Sequence, residues 1–553
     1  MGRVYHRPNV TAHRRRLALD ARLMTVSLRH TGDLSGVKEN VRWCTVLDAA
    51  TPLGNRPKLA NCASRLEIAF EAIRDTWWQL GKSIGTTPSA ELAHMPTTGT
   101  YASDFGVALA WVELVRQLSQ EAEPTLIICN DPWLFRRLST LNGVRAGSAP
   151  GLWFRECKLL LRGFFSRLRL IWRLIITTLK YRSLKNKSKS ASSVLIVYGH
   201  PDSRTDGFDA YFGSLMKDFP TLQRLMHTDC SDHRVRELAA DGRTTPLSAW
   251  GQLSWILPLL YTRWRPEREQ LQGEEGWLIR RAAIIEGSGG AAAMTRWQIH
   301  CQSAWLADTR PACIAWPWEN HPWERDITRQ AKRLGISTIG FQHTVIGPHM
   351  FGQSPASNID GLDSIPDMIV CNGPAYWANL AEWGIPVQRL SIGGNLRLAE
   401  QNGFKYNPAG PIFVALPGHL EFAKQMMKAV YPLGLNGHDF LFKVHPMYDF
   451  SFDETDNIKR TFAPLEELPG VSAVLYCLGT IGLEALLRGM PTLRFRPQGD
   501  IALNTLPTTL NACAVDSETL ATALTSLHKP EVPEPGTILS SFDHNVWKQV
   551  LQC

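Results

Sequence analysis

The sequence predicts an α/β protein in which two Rossmann-like domains face each other across a cleft. After Ser193, short apolar runs that end in Gly, His, Asn or Pro alternate with helical stretches. This alternation is typical of strands joined by helices in a parallel sheet. A polar segment with Gly and Pro at 400–411 divides the runs into two sets. The 553 residues also exceed the usual size of one domain, so two or more are expected.

The expected strands set the domain boundaries. The first set covers 194–200, 312–318, 337–343, 367–373 and 388–394. The second set covers 411–418, 439–446, 472–477 and 492–497. Helices are expected at 421–430 and 483–488, and 124–138 has a strand–turn–helix form of its own. We therefore expect a basic tail at 1–40, an N-terminal Rossmann-like domain at 41–400, and a C-terminal one at 401–553. A basic amphipathic helix is expected as an insertion at 153–190.

Composition and charge exclude several classes of protein. Hydrophobic residues make up 44% of the chain and charged residues 20%, which argues against a mainly disordered or fibrous protein. Eleven cysteines without a C-x-x-C pair are typical of reduced thiols in the cytosol. No secretory signal is apparent, and no uninterrupted apolar stretch is long enough to span a membrane. The expected location is therefore the cytoplasm.

Basic charge is concentrated between Arg155 and Lys189, where eleven Lys and Arg residues face one acid, Glu156. Leu, Ile, Phe and Trp alternate with these cations, as in helices that lie on an anionic lipid surface. The alternatives are a helix that packs on its own domain with a solvated basic face, or a nucleic-acid surface. No nucleic-acid motif accompanies the segment, so the expected partner is the inner face of the cytoplasmic membrane. The residues expected to contact it are Arg167, Arg169, Trp172 and Arg173.

Two strand ends in the N-terminal half carry candidate proton acceptors. In WPWENHPWE, Glu319 and Glu324 are crowded by tryptophans, and an apolar environment makes a carboxylate a better proton acceptor. The alternative is a rigid loop in which Glu319 caps the next helix. In GFQHT, Gln342 and His343 end a strand. A site role for His343 competes with a purely structural one.

Two strand ends in the C-terminal half carry candidate phosphate ligands. In FKVHP, His445 follows a buried run and Lys443 supplies a nearby cation. In CLGTIGLEA, a strand runs through Gly479 and Thr480 into a helix with Glu484 in its first turn. A helix N-terminus attracts anions, although the same sequence also suits an ordinary Thr N-cap. No P-loop or G-x-G-x-x-G motif occurs, which disfavours the common NTPase and dinucleotide folds.

These motifs resemble those of a known family. A His-Pro after a strand, followed by Gly-Thr-x-x-x-Glu and Gly-x-Pro, resembles the C-terminal half of GT-B glycosyltransferases. Among these, bacterial sialyltransferases, polysialyltransferases and Kdo transferases are most similar. The block 315–397 and the Asp-x-Tyr-Phe-Gly element at 209–213 are similar to a family of bacterial surface-carbohydrate biosynthesis proteins. The resemblance covers roughly residues 190–500.

The resemblance implies a GT-B fold and an inverting glycosyltransferase that needs no metal or other cofactor. The implied donor is a nucleotide-sugar, favoured as a CMP-linked ulosonic acid such as Kdo or a sialic-acid-like nonulosonate. The implied acceptor is a surface polysaccharide, such as capsule or lipopolysaccharide, or a lipid-linked glycan. His445 and Thr480 match the positions that hold the donor phosphate, with Gly479 standing where the family usually has a second hydroxyl.

The remaining roles follow from position at the strand ends, except that of Asp209, which the resemblance of the Asp-x-Tyr-Phe-Gly element implies. Glu319 is the first choice for the base that deprotonates the acceptor, and His343 is the second. Lys443, Gly479 and Glu484 are expected beside the nucleotide. The residues expected to contact the acceptor are Asp209, Glu324 and Gln342.

Three other functions stay open at this point. A CDP-glycerol-type phosphotransferase uses the same fold, and the Gln-His of GFQHT is similar to the His of CDP-glycerol polymerases. A nucleotide-sugar 2-epimerase is a second possibility, although it gives the basic helix no purpose. The third is a non-catalytic assembly protein at the membrane surface.

Overall fold

The structure is a computed structural model, and it describes residues 25–34, 41–47, 56–85, 89, 103–185, 193–227, 229–395, 406–445 and 450–551. The chain forms two compact units. The first comprises Met1–Ile73, Val107–Arg155 and Gln498–Ile501. The second comprises Arg74–Gly106, Glu156–Pro497 and Ala502–Cys553. Among the helices within the described ranges, none is both long and apolar enough to cross a membrane.

The strands are numbered in chain order. They are β1 Val26–Arg29, β2 Arg42–Val46, β3 Thr125–Cys129, β4 Val144–Ala146, β5 Ser193–Tyr198, β6 Gln223–His227, β7 Thr244–Pro246, β8 Cys313–Pro317, β9 Ser337–Gln342, β10 Met368–Cys371, β11 Leu390–Ile392, β12 Ile412–Ala415, β13 Phe440–Lys443, β14 Ile458–Thr461, β15 Ala473–Tyr476, β16 Thr492–Phe495 and β17 Cys513–Val515.

The helices are designated by their bounds. The α-helices are Cys62–Ala72, Arg74–Ile84, Phe105–Leu118, Pro132–Leu138, Leu152–Tyr181, Leu215–Asp218, Asp232–Ala239, Gly276–Ile285, Gly290–Thr309, Pro322–Arg333, Pro374–Glu382, Leu420–Leu435, Ile481–Leu487, Leu520–Thr525 and His544–Val550. Short 3-10 helices are Arg182–Leu184, Leu247–Trp250, Leu253–Trp255, Leu257–Tyr261, Phe351–Gln353, Pro355–Ser357, Val387–Arg389 and Leu465–Glu467.

The first unit contains a four-stranded parallel sheet in the order β2-β3-β1-β4. Its central strand β3 is buried along its whole length. Trp111, in the helix that precedes β3, donates from Nε1 to the carbonyl of Gly499 at 3.0 Å. This bond ties the late segment Gln498–Ile501 into the first unit.

The second unit contains two parallel sheets, each with the strand order of a doubly wound Rossmann fold. The first sheet has the order β7-β6-β5-β8-β9-β10-β11, and the second has β14-β13-β12-β15-β16-β17. Their central strands, such as β8 and β15, are buried throughout, as expected when both faces of a parallel sheet are covered. In such sheets ligands bind at the carboxyl edge where the strand order reverses, between β5 and β8 and between β12 and β15.

The end of the chain connects the two sheets of the second unit. Trp547, in the last helix, is fully buried and packs against Phe212 and Phe341, with ring centroids 5.9 and 5.1 Å away. Its Nε1 donates to the carbonyl of Gly393 at 3.1 Å. The amide of Ser540 donates to the Asn372 carbonyl at 2.9 Å. A segment that begins after the second sheet therefore ends in the core of the first.

The helix Leu152–Tyr181 has one buried face, as its pattern of apolar residues requires. Ile171, Leu174 and Tyr181 belong to the core of the second unit. Arg167 lies on the same face: it is 7% exposed, and its guanidinium donates to the carbonyls of Leu260, at 2.8 Å, and Ser288. Arg167 was expected at a membrane surface, and its burial shows that it holds the helix to the protein instead.

The predicted fold class is confirmed: both sheets of the second unit are parallel and Rossmann-like, with the basic amphipathic helix before the first sheet. All nine predicted strands after Ser193 are present, and β6, β7, β14 and β17 were missed. The strand predicted in 124–138 is β3, which belongs to a sheet of its own.

The predicted domain boundaries at 40 and 400 stay predictions. The two compact units divide the chain at other positions, and β1 lies within the expected tail. Residues 186–190 of the expected helix lie outside the described residues.

We predict that Trp547→Ala destabilises the protein by about 3–5 kcal/mol, because it removes a buried indole and leaves a cavity between the last helix and the first sheet. Thermal denaturation followed by circular dichroism measures the effect. Trp172→Ala is the matched control, since Trp172 is 68% exposed and its loss is expected to change stability by about 0.5 kcal/mol or less. Equal melting temperatures for the two variants would contradict the packing described for the C-terminal helix.

Candidate functional site

Polar and aromatic side chains gather at the carboxyl edge of the first sheet of the second unit, after strands β8, β9 and β10. Glu319 follows β8, His343 follows β9 and Asn372 follows β10. The strands are in register, with Pro317 opposite Phe341 and Cys371 opposite Gln342. Gly340 in β9 permits this packing, because a Cβ there would lie 2.9 Å from the Cβ of Trp318. The three residues therefore emerge at one level of one edge.

The Glu319 carboxylate lies between two imidazoles. Its Oε2 is 2.7 Å from Nε2 of His321, and its Oε1 is 3.6 Å from Nε2 of His343. The first contact is a hydrogen bond, while the second has the length of an ion pair. The side chain of His343 is 5% exposed and that of Glu319 is 38% exposed. A carboxylate in this position orients an imidazole and stabilises its protonated form.

Glu324 holds the turn that presents Glu319. Its Oε2 accepts three hydrogen bonds: from Nε1 of Trp316 at 3.1 Å, from the amide of Glu319 at 3.0 Å, and from the amide of Asn320 at 2.9 Å. Asn320 is buried and has a left-handed backbone conformation with φ of 59°. The hydrogen bond from its amide to Glu324 helps to maintain that conformation. Glu324 was expected to contact the acceptor. It is 1% exposed, and its carboxyl group instead accepts hydrogen bonds that hold the backbone of the turn.

Two titrating groups in this turn have strongly shifted pKa values. Burial raises the pKa of Glu324 to about 7, and the neighbouring Glu319 carboxylate adds to the shift while His321 opposes it. Burial alone would lower the pKa of His321, but the hydrogen bond to Glu319 and the charges of Glu319 and Glu324 raise it to about 9. At neutral pH His321 is therefore a cation paired with Glu319.

The Asp-x-Tyr-Phe-Gly element contributes an aromatic wall and not an acid. Asp209 is 1% exposed, and its Oδ1 accepts from the amides of Tyr211 at 2.9 Å and Phe212 at 3.2 Å. Its Oδ2 is 3.6 Å from Arg224. Tyr211 then packs edge-on against His343 with ring centroids 5.3 Å apart. Asp209 was expected to contact the acceptor, but its hydrogen bonds hold the loop instead. Tyr211 is one of the site residues that the sequence analysis missed.

Gln342 also has a structural position. It is fully buried, its Oε1 accepts from the amide of Asn372 at 3.0 Å, and its Nε2 donates to the carbonyl of Thr344. These bonds join the ends of β9 and β10. Gln342 was expected to contact the acceptor, and both ends of its amide are used within the protein.

A cavity of about 140 Å³ joins the carboxyl edges of the two sheets. His343, Asn372 and Tyr376 come from the side of the first sheet, and Thr480 and Glu484 come from the second. The remaining lining residues are Thr344, Val345 and Leu539. Two of the residues predicted from opposite halves of the chain, His343 and Thr480, therefore share one cavity. Glu319, which contacts His343, is not among the lining residues.

Thr480 and Glu484 interact with each other at the start of helix Ile481–Leu487. The Thr480 hydroxyl donates to Oε1 of Glu484 at 2.9 Å and makes no capping bond to the helix backbone. Glu484 Oε2 is also 3.9 Å from Arg488. Gly479, with φ of +104°, permits the sharp turn between β15 and this helix. The Thr480 side chain therefore does not cap the helix, which was the alternative that the sequence suggested.

His445 and Lys443 lie at the same edge of the second sheet but outside the cavity lining. Lys443 is level with Ala415 of β12, which is level with Tyr476 of β15. His445 follows β13 and Gly479 follows β15, and β12 lies between these two strands. Because neighbouring strands are about 4.8 Å apart, β13 and β15 are separated by about 10 Å. Burial lowers the pKa of His445. Within the described ranges no group of three or more His, Cys, Asp or Glu residues is placed to hold a metal ion.

Comparisons with known proteins give weak similarities. No protein-family model matches the chain, and no curated protein matches it. The glycotransferase of kitacinnamycin is 13% identical over 61% of this chain and 90% of its own, with a TM-score of 0.38. A UDP-GlcNAc 2-epimerase from Methanocaldococcus jannaschii, solved with UDP-GlcNAc and UDP, is 13% identical over 65% and 99%, with a TM-score of 0.40. The glycosyltransferase SnogD from Streptomyces nogalater is 13% identical over 66% and 94%, with a TM-score of 0.34. Similarities this low do not assign an activity or a substrate.

We predict that Glu324→Gln changes how stability depends on pH. The native protein holds the Glu324 proton up to pH about 7, whereas an ordinary Glu releases it near 4.5. The native state therefore binds more protons between these values, and the Glu324 contribution to the free energy of unfolding falls as the pH rises. Glutamine has no proton to release, so the variant gains up to about 3 kcal/mol relative to wild type between pH 5 and pH 8.

The difference in melting temperature between variant and wild type, measured at several pH values, tests this prediction. Glu382→Gln, at an exposed acid, is the matched control, and its difference is expected to be flat across the same range. A flat difference for Glu324→Gln as well would contradict the raised pKa.

Proposed function

We propose that this chain is a GT-B-type glycosyltransferase. It would move a sugar from a nucleotide-activated donor to a hydroxyl of a glycan or lipid-linked acceptor in surface polysaccharide synthesis, with inversion and without a metal. The observation that supports this most is the cavity between two Rossmann-like sheets, which has the His343 imidazole on one side and Thr480 on the other. The resemblance of the strand-end motifs to the glycosyltransferase family points the same way.

The geometry favours His343 over Glu319 as the base, which reverses the order expected from the sequence. His343 lines the cavity, whereas Glu319 shares its carboxylate with His321 at 2.7 Å and His343 at 3.6 Å. In the proposed step, His343 takes the proton of the acceptor hydroxyl while that oxygen attacks the anomeric carbon. The bond from that carbon to the donor phosphate breaks, and the phosphate leaves with the electron pair. Glu319 stabilises the imidazolium that forms.

The leaving phosphate is assigned to the edge of the second sheet. In this proposal His445 donates a hydrogen bond from its imidazole ring, Lys443 contributes positive charge, and the turn at Gly479 and Thr480 completes the phosphate contacts. Fixed donors of this kind stabilise the charge that develops on a leaving group. The resemblance favours a CMP-linked ulosonic acid as the donor.

We predict that His343→Ala lowers turnover by about 10²–10⁴-fold, the usual contribution of a general base, while nucleotide affinity stays nearly unchanged. Glu319→Gln lowers turnover less, because the imidazole remains but loses its carboxylate. The assay is donor hydrolysis and transfer over a panel of CMP-, CDP-, UDP- and GDP-sugars, with calorimetry for nucleotide binding. His528→Ala, an exposed histidine outside the cavity, is the control and should retain wild-type turnover. Wild-type turnover in His343→Ala would remove it as the base.

We also propose that the protein works in the cytoplasm, bound to the inner face of the cytoplasmic membrane through the helix Leu152–Tyr181. Side chains advance by about 100° per residue around a helix. Around the helix axis, the exposed apolar side chains cover an arc of about 120° to one side of the buried Arg167. The exposed cations cover the adjoining arc of about 60°. The apolar residues are Leu161, Phe164, Phe165, Leu168, Trp172, Ile176 and Leu179. The cations are Lys158, Arg162, Arg169, Arg173 and Lys180.

This arrangement matches what a lipid surface requires. Adjacent apolar and basic arcs let one helix insert its apolar side chains at the acyl boundary while its cations meet anionic headgroups. The helix has a single acid, Glu156, whose two carboxylate oxygens accept from Nε and Nη2 of Arg280, each at 2.8 Å. The segment Leu257–Tyr261 lies beside the helix, because Arg167 donates to its Leu260 carbonyl, and its Leu257 and Tyr261 are also exposed.

We predict that the double variant Arg169→Glu/Arg173→Glu binds vesicles of phosphatidylcholine and phosphatidylglycerol at least about tenfold more weakly than wild type, since each cation near such a surface contributes about 1 kcal/mol. Co-sedimentation with the vesicles measures binding. Lys428→Glu/Lys459→Glu changes the net charge equally at exposed positions elsewhere and should bind as wild type does. Unchanged binding of the first variant, or self-association through this helix in place of vesicle binding, would contradict the proposal.

A further inference from the structure

A second exposed apolar surface adjoins the helix Leu152–Tyr181 and is carried by two short 3-10 helices, Leu253–Trp255 and Leu257–Tyr261. Four large apolar or aromatic side chains on these helices are between 42% and 75% exposed: Leu253, Trp255, Leu257 and Tyr261. These four side chains form the 253–261 surface. Apolar side chains that cluster in solvent mark a contact with a protein or a membrane.

The 253–261 surface is held in place from behind. Ile256 and Leu259 are almost fully buried and belong to the core of the second unit. The Trp255 ring stacks on His300, with ring centroids 4.5 Å apart and planes inclined by 19°. The amide of Gln252 donates to Nε2 of His300 at 3.3 Å. The exposed side chains are therefore already oriented outwards, which lowers the entropy cost of forming an interface.

The buried Arg167 of the helix connects it to this segment. Its Nε donates to the carbonyl of Leu260 at 2.8 Å. Burial lowers the pKa of Arg167 and the positive charge of Arg263 lowers it further, so Arg263 lies near the same point. On the other side of Arg167 from the exposed apolar arc, the helix is covered, since a Cβ on Gly163 would lie 2.5 Å from the carbonyl oxygen of Ser288.

The charge around the 253–261 surface is complementary to an anionic bilayer. From Gly251 to Arg265 the sequence has no acid, and Arg263 and Arg265 are both exposed. The basic arc of the neighbouring helix adds further cations. Trp and Tyr next to Leu suit the boundary between headgroups and acyl chains, because their rings join an apolar body to a polar group. Charge and composition together favour a lipid surface over a protein partner.

We propose that the 253–261 surface is a second membrane-inserting element, which enters an anionic bilayer beside the helix Leu152–Tyr181. The inference rests on the membrane part of the proposed function and extends it from one element to two. In this proposal the 253–261 surface flanks the apolar arc of the helix, so that both meet the same bilayer. Attraction between cations and headgroups weakens as salt rises, whereas the burial of apolar side chains does not. Two elements therefore hold the protein more firmly than one and fix how it faces the membrane.

Co-sedimentation with vesicles of phosphatidylcholine and phosphatidylglycerol tests the proposal, at about 0.1 M and about 1 M sodium chloride. Leu257→Asn/Tyr261→Asn should bind about tenfold or more weakly than wild type at both salt concentrations, because it removes apolar side chains from the acyl boundary. Leu435→Asn/Phe462→Asn replaces an exposed leucine and an exposed aromatic elsewhere, and this matched control should bind as wild type does. Both variants should keep the wild-type melting temperature within a few degrees, since all four positions are exposed.

The outcomes separate this inference from the proposals beneath it. If Leu257→Asn/Tyr261→Asn binds vesicles as wild type does while Arg169→Glu/Arg173→Glu loses binding, the second element is overturned and the helix proposal stands. A loss confined to the lower salt concentration would also contradict apolar insertion. Sedimentation velocity that shows wild type self-associating through this surface, with vesicle binding unchanged in the variant, would assign the surface to a second copy instead. Wild type that binds no vesicles would contradict both membrane proposals, whereas donor hydrolysis without vesicles tests the glycosyltransferase proposal separately.

Discussion

The buried carboxylate of Glu324 is the interaction on which the geometry of the site depends. It accepts hydrogen bonds from an indole of β8 and from the amides of Glu319 and Asn320, and so holds a turn that includes a left-handed asparagine. That turn directs the Glu319 carboxylate towards His321 and His343. A site residue can thus act entirely through the backbone it anchors. Glu324 was expected at the acceptor because it is acidic and follows a strand, but its burial gives it this other task.

The composition of the cavity depends on how the chain crosses between the two sheets. The segment that ends in Trp547 brings Leu539 and Ser540 from beyond the second sheet to Asn372 at the edge of the first. Together with the turn at Gly479, it encloses the space between the sheets. Each wall alone would be an open sheet edge, where water satisfies the polar groups. The cavity lining therefore combines residues from both sheets with Leu539 of the crossing segment.

On the helix Leu152–Tyr181, side chains of the same type have different environments. Arg167, Arg169 and Arg173 are equivalent in a count of charges, yet Arg167 is buried and bonded to two carbonyls while the other two are exposed. The structure thus shows that one face of this helix packs on its own unit, while contact of the exposed face with a lipid surface stays a proposal. The packed face keeps the apolar and basic arcs turned outwards.

The sequence by itself determined which residues stand at the carboxyl ends of strands, because the alternation of buried runs and helical stretches is a local property. It placed Glu319, His343, His445 and Thr480 at those ends correctly. The tertiary structure decided which of them meet, since that depends on strand order and on crossings far apart in the chain. Asn372 and Tyr376 have no local signal, because an amide or an aromatic after a strand is common. Tyr211 lies in the Asp-x-Tyr-Phe-Gly element that the sequence analysis identified, but only the structure brings its ring to His343. Only packing gave Asp209 and Gln342 their structural positions, because burial and hydrogen-bond partners are set by residues distant in sequence.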